Sequence, residues 1–409
     1  MKRNFGVDDM QNRRHSMFSL LASVLGAIIP VRLKAQTTAI GSLVLASNTR
    51  DVKIDDGGQI VDWWLEPSIK PDIYTVAFPH RPSLVKYSTD LESHLFEIRP
   101  GQEFDFEILL NGNTTCYTRL SAKPRPGPSN FDAVASNGSL SIPFEIRSNR
   151  IYLHASFNDG PSLLFQLDLG AAVSVISHRA SSRSGVIFDR TDTLHNTHGS
   201  NQARAGVANT LKVQGLEWPK TYVIETRNMA SWEDGLLGAN AFVNQVLELD
   251  YANNTLTLHA TLPEQLLTSS DWTHAPIRLD GGVRPMVQVT LTKDQANHAE
   301  WMVLDTGLNG TMVLNRNDVR RGNLAEKFGG GLSFGGRQLY SGATVTVAGQ
   351  TLPTAGFVGE TSNGPDNGLS RSLLGNVWMR NFHTIIDFRQ GNIWLSPSKV
   401  EKNDFASNL

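Results

Sequence analysis

Met302-Val303-Leu304-Asp305-Thr306-Gly307, followed closely by the second apolar run Thr311-Met312-Val313-Leu314, is the stretch on which the reading of this chain turns. An apolar run, an Asp and a Gly, then another apolar run reads as two buried strands with the Asp in the turn between them. The same unit occurs earlier, where Leu163-Leu164-Phe165 leads into Leu167-Asp168-Leu169-Gly170 and Val173-Ser174-Val175-Ile176 follows. Each copy carries two later markers at matched distances. Leu236-Leu237-Gly238 lies as far beyond Asp168 as Leu373-Leu374-Gly375 lies beyond Asp305, and Asp250 and Asp387 again follow at equal distances. Between these markers, Gly215…Pro219 and Gly349…Pro353 repeat at an offset shorter by three than that of the two Asp residues. Three residues are therefore gained later, expected in the turn around Asn363-Gly364-Pro365, where an insertion leaves the core unit intact. Two similar β-rich halves predict two lobes packed about a pseudo-twofold axis.

Around this repeat the chain has the composition of an ordinary globular protein, 40% apolar and 19% charged. At 409 residues two or three domains are expected. The formal charge of −2 gives no reason to expect nucleic acid as a partner. A single cysteine, Cys116, excludes an intrachain disulfide framework and any multi-cysteine metal site. At the N-terminus, Lys2, Arg3, Arg13 and Arg14 precede an apolar run from Met17 to Pro30, too short to span a bilayer. Residues 1–35 therefore read as a secretory signal peptide cleaved near Ala35, with Arg13-Arg14 resembling a twin-arginine export signal. These residues hold six Lys/Arg and two Asp, so their loss takes the charge from −2 to −6. A periplasmic or secreted bacterial protein without stable membrane insertion is expected.

Residues 36–122 alternate apolar and polar side chains, as in Phe104, Phe106 and Ile108 against Asp105 and Glu107. Turn signals such as Asp55-Asp56-Gly57-Gly58 punctuate them, which predicts an antiparallel β-sandwich. Trp63, Trp64 and Tyr74 could form a sugar or peptide platform, but aromatic residues in a β-domain are expected in its core. Lys123-Pro124-Arg125-Pro126-Gly127-Pro128-Ser129 predicts a semi-rigid linker over 123–137. Lobe 1 is then 138–262, lobe 2 is 263–399, and 400–409 is a tail.

The Asp-Thr-Gly stretch between apolar strands, with its late Leu-Leu-Gly, resembles the lobe of an aspartic peptidase. The resemblance covers roughly residues 138–397 and points to the retropepsin-like and pepsin-like families. It implies an all-β chain: an N-terminal β-sandwich, then a two-lobed acid-protease-like β-barrel unit with pseudo-twofold symmetry. It also implies that Asp168 and Asp305 form a catalytic pair in the cleft, hydrolysing peptide bonds in a polypeptide substrate without cofactor or metal. Two carboxyls held about 3 Å apart cannot both ionise, so they share one proton and can act as base and acid on water and carbonyl. Gly170 and Gly307 would let the backbone turn beneath each carboxyl. The resemblance gives Thr306 a hydroxyl bonded across the lobe interface, a role that Leu169 cannot fill. Leu308 stands where the family has a small residue. Flap hairpins are expected at His198-Gly199-Ser200-Asn201 and at Gly329-Gly330-Gly331 through Gly335-Gly336. Both copies lie in one chain, so a monomer with intrachain lobe pairing is expected.

Three further readings compete. Gly331-Leu332-Ser333-Phe334-Gly335, with Asp366 and His383 behind it, matches the G-x-S-x-G elbow of serine hydrolases, which needs a strand before the serine and a helix after it. Leu169 fits a degenerate peptidase fold that binds a peptide or glycan without cutting it. His195 and His198 read as loop residues, and without a third ligand they make no metal site. Asp250 and Asp387, each before an aromatic residue and a turn, read as turn-stabilising rather than catalytic.

Overall fold

The computed structural model describes residues 43–196, 199–328, 333–334, 336–354, 356–360 and 371–398. Residues 1–35, expected to be a signal peptide, the C-terminal tail, His198, Asp366 and the expected insertion turn at Asn363-Gly364-Pro365 lie outside the described residues, as do Gly329 to Leu332 and Gly335.

The N-terminal part is a sandwich of two four-stranded sheets. One orders Val44–Ser47, Glu103–Leu110, Thr114–Ser121 and Asp72–Thr75; the other orders Gln59–Trp64, Asp51–Asp56, Ser83–Ser88 and Ser93–Ile98. Strict alternation drives the second sheet: in Asp51–Asp56 the buried residues are Val52, Ile54 and Asp56. Between the sheets Tyr87 meets Phe106 edge-on at 5.0 Å and Tyr74 at 6.3 Å. The antiparallel expectation needs correcting at two pairings. Val44–Ser47 runs parallel to Glu103–Leu110 and Asp72–Thr75 parallel to Thr114–Ser121, because the chain reaches both edge strands by long connections instead of hairpins. Of the three aromatics expected inside, Tyr74 is buried, Trp63 packs edge-on against it at 5.5 Å, and Trp64 points outward at 56% exposure.

Residues 123–137 are not a free spacer. Ser129 N–H donates to Glu217 O at 2.7 Å, and Phe131, in the short helix Phe131–Val134, is buried in the main core. The prolines keep the segment extended while its few donors and one aromatic side chain dock it onto lobe 1. Val44 onward is one compact unit. Phe78 of the sandwich joins the lobe core, its ring against Gly391, and Gln59 donates to Leu279 O at 2.5 Å and accepts from Leu279 N–H at 3.0 Å.

The two lobes are all-β and repeat one strand succession. In lobe 1 the hairpin Arg150–Phe157 and Leu163–Asp168 is followed in the sheet by Gly235–Gly238, Ser174–Ser177, Leu216–Thr226, Gly199–Val213 and Arg190–Asn196. In lobe 2 the order is Arg284–Lys293, Ala296–Asp305, Leu373–Gly375, Met312–Leu314, Phe357–Glu360, Arg337–Tyr340 and Ser333–Phe334. The match extends to single turns: Gln214-Gly215 and Ala348-Gly349 take φ of 48° and 85°, and 50° and 82°. Both pairs sit at two-residue hairpin turns that require φ above zero at both positions. The result is a two-lobed, all-β architecture whose halves repeat one strand succession.

A six-stranded sheet fastens the lobes together. Val246–Asp250 of lobe 1 pairs antiparallel with Phe382–Asp387 of lobe 2, Val246 opposite Asp387 and Leu249 opposite Thr384. Asp250 and Asp387 do what their sequence context predicts. Each accepts two backbone N–H groups from the following turn, Ala252 and Asn253 in one case and Arg389 and Gln390 in the other. At the centre of the sheet Glu248 receives His259 Nε2 from lobe 1 and His383 Nε2 from lobe 2, both at 2.6 Å. His383 therefore belongs to the lobe junction. The chain around Ser333 is a strand followed by a second strand, Arg337–Tyr340, and not by a helix, which removes the nucleophile-elbow reading.

Candidate active site at the lobe junction

Each Asp is the last residue of a strand whose alternation buries its neighbours. Leu167 and Leu304 point into the core, and Asp168 and Asp305 project from the opposite face. Behind each lies the Leu-Leu-Gly strand, with Leu167 opposite Leu237 and Asp168 opposite Gly238, and in lobe 2 Leu304 opposite Leu374 and Asp305 opposite Gly375. Two equivalent backbone bonds clamp the turns that follow: Ala239 N–H to Ala171 O and Asn376 N–H to Leu308 O, both at 2.9 Å. The matched spacing from Asp to Leu-Leu-Gly in the two halves reflects this clamp, since the Leu-Leu-Gly strand must end level with the Asp it supports.

The lobes bring the two turns face to face. A Cβ on Gly170 would come within 2.5 Å of Asp305 Cγ, and one on Gly307 within 2.6 Å of Asp168 Cγ. Each carboxyl thus rests on the glycine of the other lobe, an approach no side chain permits. Asp305 is buried at 9% exposure; its Oδ1 accepts Gly307 N–H at 2.8 Å and Leu308 N–H at 3.0 Å. Asp168 is half-buried, and its Oδ1, shielded from solvent, has no donor. A shielded oxygen with no donor beside a second carboxyl is satisfied if it carries a proton and donates it.

The electrostatics point the same way. Burial pushes Asp168 well above the usual carboxylate range, Asp305 beside it pushes further in the same direction, and the N–H groups of Gly170 and Ala171 pull the other way. Burial raises Asp305 too, but the N–H groups of Gly307 and Leu308, the carboxyl of Asp168 and the positive charge of Arg284 hold it down. Two carboxyls this close titrate as one pair, with Asp168 raised both by burial and by Asp305.

Thr306 is fully buried and reaches across the junction. Its hydroxyl donates to Leu167 O at 2.7 Å and accepts Leu169 N–H at 3.0 Å. Leu169 occupies the equivalent position in lobe 1 and is buried as a hydrocarbon in the main core, so the cross-lobe hydroxyl contact is made in one direction only. Leu308 fills space that a small residue would leave, with its side chain against Gly375. In lobe 1 the hairpin expected near His198 is formed by Arg190–Asn196 and Gly199–Val213, with Tyr222 Oη bonded to Asp192 at 2.5 Å.

Two site residues were not singled out from the sequence. Arg150 Nε donates to Gly307 O at 2.7 Å, and Arg284 Nη1 donates to Gly170 O at 3.3 Å, so each arginine holds the carbonyl of the other lobe's glycine. Arg150 and Arg284 repeat at the same offset as Gly215 and Gly349, and that agreement is the signal that could have found them.

Comparison with protein-family models and with curated proteins returned no match. Among solved structures, the chain is similar to an aspartic proteinase from Irpex lacteus at 12% identity and a TM-score of 0.44, over 64% of this chain and 98% of that one.

Proposed function

We propose that this protein is an exported aspartic-type endopeptidase that uses Asp168 and Asp305 to activate water against a peptide bond. The observation that carries the reading is the reciprocal seating of the two carboxyls on the opposite lobe's glycine, with burial raising both and Asp305 raising Asp168 further. In this mechanism the Asp305 carboxylate takes a proton from water as its oxygen attacks the carbonyl carbon, while Asp168 gives its proton to the carbonyl oxygen. The tetrahedral diol then collapses: Asp168 recovers a proton from one hydroxyl, Asp305 passes its proton to the departing nitrogen, and the C–N bond breaks. No covalent enzyme intermediate forms, and no metal or cofactor takes part. Residues 1–35 would direct export to the periplasm or beyond, and a monomer would suffice, because both carboxyls come from one chain.

One observation favours a second reading. The one-sided hydroxyl contact at Leu169 suits a fold that binds polypeptide without cutting it. Incubating the full chain with a mixed peptide library between about pH 3 and 7 separates the two. The peptidase reading expects cleavage that a serine-directed phosphonate leaves untouched and that a peptide isostere bearing a hydroxyl at the scissile position blocks, since such a group copies the diol. Peptide retention by the folded chain without any cleavage, unchanged in Asp305→Asn, would favour the binding reading instead.

A further inference from the structure

The two arginines stand in equivalent places. Arg150 opens the strand Arg150–Phe157 just after a turn at Ser148 and Asn149, whose φ values are 47° and 59°. Arg284 opens Arg284–Lys293 just after a turn at Gly281 and Gly282, with φ of 59° and 73°. A left-handed turn at the head of the first strand therefore aims a guanidinium at the lobe junction from each side. Their supports differ. Arg284 is ion-paired to Asp280, which Arg371 also holds at 3.2 Å. The Arg150 turn is held from lobe 2, where Asn376 Nδ2 donates to Asn149 O at 2.8 Å and Arg380 binds Asn149 Oδ1.

The backbone of the lobe 1 turn is fixed from lobe 2 at three atoms: Leu167 O and Leu169 N by the Thr306 hydroxyl, and Gly170 O by Arg284. The backbone of the lobe 2 turn loses the two contacts that a hydroxyl at 169 would supply and keeps Arg150 on Gly307 O. A bond from a charged donor to a carbonyl is among the stronger ones a protein makes.

From this we infer that Arg150 and Arg284 are positioning residues forming a second clasp between the lobes, and that Arg150 takes over the restraint on the Asp305 turn that Leu169 gives up. The inference rests on the peptidase reading for its catalytic consequence but not for the clasp itself. In a retained Arg150 clasp the Gly307 carbonyl stays down, its N–H stays on Asp305 Oδ1, and the two carboxyls keep the separation at which they share a proton.

The test is a double-mutant cycle in the full chain with Arg150→Met and Leu169→Thr, beside Arg284→Met and Arg150→Lys. On a cleaved peptide, Arg150→Met is expected to lower kcat at least tenfold with KM within about twofold. Leu169→Thr is expected to return most of that loss, because its hydroxyl would hold the same lobe 2 turn, and Arg150→Lys to retain more activity than Arg150→Met. The loss in Arg284→Met is expected to resist rescue by Leu169→Thr, whose hydroxyl would face the other turn. Additive effects of Arg150→Met and Leu169→Thr in kcat would overturn the clasp. If the wild type cuts nothing, the peptidase reading fails alone, and the same cycle is read in melting temperature. There the clasp requires coupling between positions 150 and 169, and additive shifts overturn it.

Discussion

Thr306 shows how much one hydroxyl can do at a buried junction. It accepts one N–H and donates to one carbonyl of the opposite lobe. Thr306→Val keeps the shape and removes both bonds, leaving a buried donor and a buried acceptor unpaired at about 1–3 kcal/mol each. A loss of about 2–6 kcal/mol in urea unfolding is expected, and a loss below about 1 kcal/mol would mean the turns are held by packing alone. At this scale the sequence was partly legible. Asp168, Asp305, Gly170 and Gly307 could be named because their spacing repeats, and Thr306 because the resemblance to an aspartic peptidase lobe implies its hydroxyl contact. Arg150 and Arg284 were missed, because each acts on a carbonyl of the other lobe and only their matched offset in the two halves marks them in the sequence. Which carboxyl is pushed up further was also hidden, since that depends on the burial, N–H groups and charges that surround each one in space.

Among the elements, the six-stranded junction sheet joins the lobes through a carboxylate between two histidines. Burial pushes Glu248 up, but its hydrogen bonds to His259 and His383 outweigh this and bring it down from 4.5 to about 2. A folded-state pKa below the unfolded one gives stability that is complete above about pH 4.5 and is lost as pH falls towards 2. Glu248→Gln should therefore cost about 2–3 kcal/mol at pH 6 and much less at pH 3, as read from urea midpoints at the two pH values. An equal cost at both would assign the effect to packing. The strands themselves were readable from alternation and turn residues, and Asp250 and Asp387 were correctly placed in turns. The parallel edge strands of the sandwich were not, because sequence alternation is the same for parallel and antiparallel partners. The junction cluster escaped notice for a similar reason: His259 and His383 are far apart in the chain and meet only through sheet pairing.

For the whole molecule, the N-terminal sandwich is fastened to the lobes instead of hanging from a linker. Phe78 is 6% exposed and packs into the lobe core against Gly391, Arg81 donates to Gln390 O at 2.8 Å, and the proline-rich segment lies along lobe 1. Phe78→Ala should cost about 3–5 kcal/mol, and calorimetry should show sandwich and lobes melting in one transition in the wild type. Two well-separated transitions in the wild type would show that the contact is too weak to couple them. Composition suggested a spacer at 123–137, but three prolines also suit a strap that must lie flat, and the burial of Phe131 and the bond from Ser129 N–H to Glu217 O distinguish the two. The central claim is that one proton shared by two carboxyls drives peptide hydrolysis. It is tested most directly by the pH profile of cleavage for the wild type, Asp168→Asn and Asp305→Asn. Burial and the neighbouring carboxyl raise Asp168, so wild-type activity should persist above the ordinary Asp range of about 4, fall as that proton is lost, and be absent in both variants. Cleavage retained by Asp305→Asn at any pH in that range would contradict it.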